Sequence, residues 1–133
     1  MEDKISVHQV LSLINKSWLN GKPEEMNVHL NPDITMRPPG FSHNITGSSV
    51  FISSFIDFCK NSKVIEFTEN DEVIDLVGNC AIATYNFEMI YETKSYRAKS
   101  KGRDFWIFEK TASGWKAVWR TMMDLEETKF PDK

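Results

Sequence analysis

At 133 residues and a net charge of −3, the chain is long enough to bury a core without disulfides or metal, and too weakly basic for nucleic acid, which needs a concentrated positive surface. Its 41% apolar and 26% charged residues are an ordinary globular balance. Cys59 and Cys80 stand at no disulfide-framework spacing, no secretory pattern opens the chain, and no apolar run approaches the roughly 18 residues of a membrane span. One cytoplasmic domain over residues 1–133, with reduced thiols and no membrane anchor, is expected.

The apolar residues Ile5, Val7, Val10, Leu11, Ile14 and Trp18 form a helical stripe that closes at Asn20-Gly21. A second short helix starts at Pro23, with Glu24 and Glu25 complementing its dipole. Ile34 to Arg37 reads as a brief strand stopped by Pro38-Pro39-Gly40, and Phe41 to Thr46 as a loop of the kind that roofs a site. Gly47-Ser48-Ser49 leads into a third helix with Ile52, Phe55, Ile56 and Cys59 on its buried side and an end near Asn61-Ser62.

From there the period changes to two. Strands are expected over residues 64–68, 73–77, 80–92, 96–110 and 115–123, joined by short turns, with a polar tail that frays after Asp124. Helices followed by a long antiparallel meander predict an α+β cone: three N-terminal helices packed on a curved antiparallel sheet, with a cavity between the layers.

The hairpin from Lys101 to Met123 carries the candidate site. Paired through the turn Thr111 to Gly114, it sets Trp106 opposite Trp119 and Asp104 opposite Thr121. One face then collects Asp104, Trp106, Phe108, Trp115, Ala117, Trp119, Thr121 and Met123. The preceding strand adds Tyr85 and Phe87, with Tyr85 beside or diagonal to Asp104. A carboxylate among aromatic side chains is disfavoured as an anion, so its pKa rises unless a donor such as Tyr85 or Thr121 compensates.

Two uses of Asp104 stay open: acid/base or ligand contact with Tyr85 as partner, or a structural hydrogen bond. Trp18, Met36, Phe55, Phe87, Trp106, Trp119 and Thr121 are the expected pocket residues. The bound molecule is expected to be small and largely apolar, and the many aromatics suit a wide, flat one.

The opposite face holds Ile82, Phe105, Ile107, Val118 and Met122 among Arg103, Glu109, Lys116 and Arg120. It is too apolar for a free surface and too charged for a core, which predicts a homodimer built on the sheet. Arg97, Lys99, Lys101 and Arg103 alternate along one strand beside acids and read as a solvated, paired surface. His8, His29 and His43 show no ligand spacing, so neither metal nor cofactor is expected; His43 alone is kept as a visitor to the pocket. Asn44-Ile45-Thr46 matches the glycosylation triplet by chance, and no glycine-rich phosphate loop or GxSxG stretch is present.

The order of W-L-N-G-K-P-E-E-M at 18–26, L-N-P-D-I-T-M-R-P-P-G at 30–40, I-T-G at 45–47, K-G-R-D-F-W-I-F and G-W-K-A-V-W-R-T-M resembles the NTF2-like superfamily, in its SnoaL-like, ketosteroid isomerase-like branch. The resemblance implies a commonly dimeric cone whose members include isomerases, cyclases, dehydratases, epoxide hydrolases and non-catalytic binding or assembly modules, so the fold does not choose the function. Where the isomerases carry a catalytic aspartate, this chain has Arg37, Pro38 and Pro39. From Ile82 to Met123 the chain is also similar to the association domain of calcium/calmodulin-dependent kinase II. Basic pocket residues of that domain align with Phe87, Asp104, Trp119 and Thr121, an exchange of anion binding for aromatic walls with one acid. The expected function is a small-molecule pocket with Asp104 as its polar anchor, serving as a cofactor-free isomerase, cyclase or hydratase if catalytic; the alternative is a binding or assembly module.

Overall fold

A computed structural model describes residues 2–130. Helix α1 spans Glu2–Leu19, a 3-10 helix Pro23–His29, strand β1 Leu30–Arg37, β2 Ile45–Thr46 and helix α2 Ser48–Asn61; the strands β3 (Lys63–Val77), β4 (Cys80–Glu92), β5 (Arg97–Thr111) and β6 (Gly114–Lys129) follow. The second expected helix is thus a 3-10 turn opened by Pro23.

The strands form one sheet in the order β2-β1-β6-β5-β4-β3. It is mixed rather than antiparallel, because β1 runs parallel to β6 while the other pairs are antiparallel. A parallel neighbour requires a crossover, and the long path from β1 through α2 and the meander supplies it. The two short strands expected over 64–77 are the single strand β3. The expected turn at Asn70-Asp71 is a bulge there, with Asp71 at φ 58° in the left-handed region that Asp tolerates.

The tail does not fray at Asp124. Strand β6 continues to Lys129, pairing Glu126 to Lys129 with Lys101 to Ala98, and Tyr91 donates a hydrogen bond to Glu127. No helix among the described residues is long and apolar enough to cross a membrane.

Both helices pack on the concave face. Val7, Leu11, Ile14 and Trp18 of α1 and Phe51, Ile52 and Phe55 of α2 join Ala81, Ala83, Tyr85, Trp106, Phe108 and Ala117 of the sheet in one core. Alanines at three of these sheet positions leave room for the helices to approach, while the larger residues further along the strands hold the layers apart. A cavity stays open on that side.

The register of β6 decides what faces the cavity. From Thr111↔Gly114 to Phe108↔Ala117 the hairpin pairs as its turn dictates. Ile107 then pairs with Trp119, which leaves Val118 as an extra residue on β6. Such a bulge reverses the alternation beyond it. Trp106 therefore lies opposite Arg120, and Asp104 opposite Met122, so Arg120 and Met122 turn to the concave side while Trp119 and Thr121 leave it.

Candidate functional site

The cavity between α1, α2 and the sheet measures about 350 Å³. Its walls are largely aromatic and thioether: Trp18, Phe55, Phe67 and Phe87 with Met36, Met89 and Met122. Trp18 packs within 6.0 Å of the rings of Phe55, Phe58 and Phe67, making a continuous aromatic side to the chamber. Methionines adapt their shape to what they touch. Four polar side chains reach the lining: Asp104, Arg120, Ser100 and Ser54.

Asp104 is 3% exposed and held by four donors. Arg120 grips it as a fork, Nε to Oδ1 at 2.9 Å and Nη2 to Oδ2 at 2.8 Å. The Tyr85 hydroxyl donates to Oδ2 at 2.9 Å, and the backbone N–H of Phe105 to Oδ1 at 3.2 Å. A carboxylate offers about four lone-pair sites, so none is left for another partner. The compensating donors are thus Arg120 and Tyr85. Thr121, expected in that role, faces the other way and donates to the Arg37 carbonyl at 2.6 Å.

Hydrogen-bond direction in this network follows from chemistry. Trp18 Nε1 can only donate, so the atom of Asn15 that receives it at 3.0 Å is Oδ1. Asn15 Nδ2 then donates to the Tyr85 oxygen at 3.1 Å and to Glu69 Oε2 at 2.6 Å, and the Tyr85 proton points to Asp104. Burial, with the Asp104 charge added, raises the Tyr85 pKa well above its ordinary value and keeps that proton in place. For Arg120, burial alone would lower the pKa; the charge and hydrogen bonds of Asp104 outweigh it and the pKa is raised.

The guanidinium of Arg120 also packs against two aromatic rings. Its central carbon lies 4.8 Å from the Trp106 ring centre and 5.4 Å from that of Phe55, close enough for cation–π attraction. Its third nitrogen, Nη1, has no hydrogen-bond partner among the described residues. Nor is it sealed away, since the enclosed side-chain groups without a partner are Arg97 Nε and Trp106 Nε1. Arg120 lines the cavity, and Nη1 is the guanidinium nitrogen that Asp104 does not engage.

Of the residues expected from sequence, Trp18, Met36, Phe55, Phe87 and Asp104 meet at the cavity, and Tyr85 stands directly behind Asp104. Trp106, expected as a wall, is fully buried in the core beneath Arg120. Trp119 lies on the convex face, 5.8 Å from the ring of Phe105 and 6.2 Å from that of Phe41. Met122, expected at a subunit interface, lines the cavity, whereas Ile82, Phe105, Ile107 and Val118 are half-buried on the convex side.

The segment Phe41 to Thr46 is not simply a roof. Phe41 folds under Arg37 onto the convex face, Ile45 and Thr46 pair with β1, and only Ile45 reaches the cavity wall. His43 is exposed beside Ser42. Arg97 and Lys99 pair with Glu92 and Glu88, as a solvated surface should.

Arg120 is the functional residue that strict alternation missed. A one-residue shift in β6 gives the buried Asp104 a counter-ion, and the cost of leaving such an acid unpaired was the available signal.

No family model matches the chain, and no curated protein matches it. Solved structures do. An NTF2-like protein from Cytophaga hutchinsonii ATCC 33406 superposes with a TM-score of 0.77 at 14% identity, over 92% of this chain and 98% of its own. A scytalone dehydratase candidate from Novosphingobium aromaticivorans DSM 12444 gives 0.80 at 14% identity, over 98% and 89%. The CaMKII hub of S. rosetta gives 0.72 at 17% identity, over 94% and 95%. At such identities the likeness speaks for the fold alone.

Proposed function

With the NTF2-like fold as its frame, we propose that this chain binds a small, largely apolar organic molecule carrying an acceptor oxygen, carboxylate or carbonyl, at one end. The observation that carries this reading is Arg120, held by Asp104 beside Trp106 and Phe55, in the lining of a 350 Å³ aromatic cavity with Nη1 unpartnered among the described residues; we take Nη1 as the edge it offers a ligand. A fixed donor edge in an apolar chamber favours a ligand oxygen placed against it and rejects a ligand ammonium. The methionine walls suit a family of related shapes rather than one.

Asp104 and Tyr85 serve here to hold Arg120. As the acid/base of an isomerase, cyclase or hydratase of the SnoaL-like kind, Asp104 would first have to release the guanidinium, because its lone pairs are all occupied. A thermal-shift screen of flat apolar carboxylic acids, ketones and amines of matched size tests the reading, since a ligand that binds only the native state raises the midpoint. Acids and ketones should raise it and amines should not; amines that stabilise as well as acids would overturn it.

The convex face favours a second role, self-association. Ile82, Phe105, Ile107, Val118 and Trp119 are half-buried there and Phe41 is 49% exposed. We read this as a homodimer surface; sedimentation showing only monomer at micromolar concentration would exclude it.

A further inference from the structure

Resting on the reading of the cavity as a site for an acid- or ketone-bearing molecule, we infer that its ligand is polar at both ends, with a second oxygen held by Ser100. Ser100 is on the same concave face of β5 as Asp104, 7% exposed, and lines the cavity. Its hydroxyl makes no hydrogen bond among the described residues, and it is not one of the sealed unpartnered groups. It is a buried serine lining the same chamber as Arg120, with no protein partner for its hydroxyl among the described residues.

The spacing of the two groups defines the ligand. Ser100 and Asp104, the residue that holds Arg120, are four strand positions apart, about 14 Å at roughly 3.4 Å per residue. The position between them is Gly102, which puts no side chain on the floor. Phe87 and Leu125 lie over it instead: a Cβ there would sit 3.0 Å from the Met123 carbonyl oxygen, 3.1 Å from Leu125 Cδ1 and 3.3 Å from Phe87 Cε2. The side chains lining the cavity around that strip are apolar: Phe87, Met89, Met122 and Leu125. Beyond Ser100, Tyr91 donates to Glu127 and packs on Phe58, which closes that end.

Water can satisfy Arg120 and Ser100 in the free protein. A ligand that fills the chamber must replace it at both ends, because a buried polar group left bare is costly. The matching class is an elongated, rigid molecule with an aromatic or alicyclic body, a carboxylate or ketone at one end, and a hydroxyl or carbonyl oxygen on the order of 10 Å away at the other.

The test uses a biphenyl carboxylic acid with a hydroxyl at the far para position, the same acid without the hydroxyl, and calorimetric titration of the wild-type chain and Ser100→Ala. In the wild type the hydroxyl should tighten binding about three- to tenfold, the worth of one neutral hydrogen bond. In Ser100→Ala that gain should vanish, and the parent acid should bind at least as tightly as to the wild type, because no bare hydroxyl is left beneath it. Equal binding of the two acids to the wild type, or a gain that survives in Ser100→Ala, overturns the Ser100 contact and leaves the Arg120 reading standing. Binding of neither acid overturns the Arg120 reading, and this inference with it.

Discussion

The two faces of the β5–β6 hairpin use neighbouring residues of the same strands in opposite ways. On the concave side Asp104, Trp106 and Arg120 are each less than a tenth exposed, and Asp104 accepts a full set of hydrogen bonds. On the convex side Phe105, Ile107, Val118 and Trp119 are half-buried, with Trp119 against the rings of Phe105 and Phe41. Charge is buried on one side and open only toward the cavity, while apolar surface is half-exposed on the other. This inversion of the usual arrangement is what the proposed ligand chamber on one side and the proposed contact surface on the other are read from.

The inversion rests on the ion pair, so removing Arg120 should do the most damage. Arg120→Met leaves Asp104 buried without its counter-ion and should lower the urea unfolding free energy by about 3–5 kcal/mol. Pairing it with Asp104→Leu should restore much of that loss, because an apolar pair leaves no bare charge. Additive losses in the double variant would mean that the two residues do not act as one unit.

A smaller effect is expected from Tyr85→Phe, which strips one donor from Asp104 and the acceptor from one Asn15 N–H. A loss of about 1–3 kcal/mol should appear in the same measurement, the cost of a buried group left unsatisfied.

The convex side should respond in the reverse manner. Phe105→Glu should abolish the proposed dimer in sedimentation at micromolar concentration, yet change the unfolding free energy of the monomer by only about 1 kcal/mol. A large stability loss with the oligomer intact would turn that face back into ordinary core.

Much of this was legible in the chain. The 3.6-residue stripe ending at Trp18 and the alternation of Ala81, Ala83, Tyr85 and Phe87 give the layers, and the turn Thr111 to Gly114 gives the hairpin register as far as Ala117. What alternation cannot supply is the bulge. Val118 is an unremarkable strand residue, and nothing local to it announces that β6 takes up an extra residue there. One slip was enough to exchange Arg120 and Met122 for Trp119 and Thr121. The parallel β1–β6 pair was hidden for a related reason, since pairing between distant segments leaves no mark in either one. The tail beyond Asp124 looked free because its polar residues alternate weakly, although pairing with β5 needs only backbone.

The mildest effect concerns pH. Burial raises the Glu69 pKa above its ordinary 4.5, partly offset by the hydrogen bond from Asn15. The folded state therefore holds this proton more tightly than the unfolded chain. Glu69 contributes stability that grows as pH falls from above the raised value through 4.5 and is lost as pH rises again. Glu69→Gln should flatten the stability profile in that window and leave neutral-pH stability no worse.

The account turns on Arg120 being the polar contact of the chamber. With arginine side chains labelled with nitrogen-15, the clamped Arg120 guanidinium should give a slowly exchanging signal, assigned by its loss in Arg120→Met. On titration with a biphenyl carboxylic acid, that signal should shift in step with binding while the exposed arginines stay still. Binding that leaves the Arg120 signal unmoved would contradict the account.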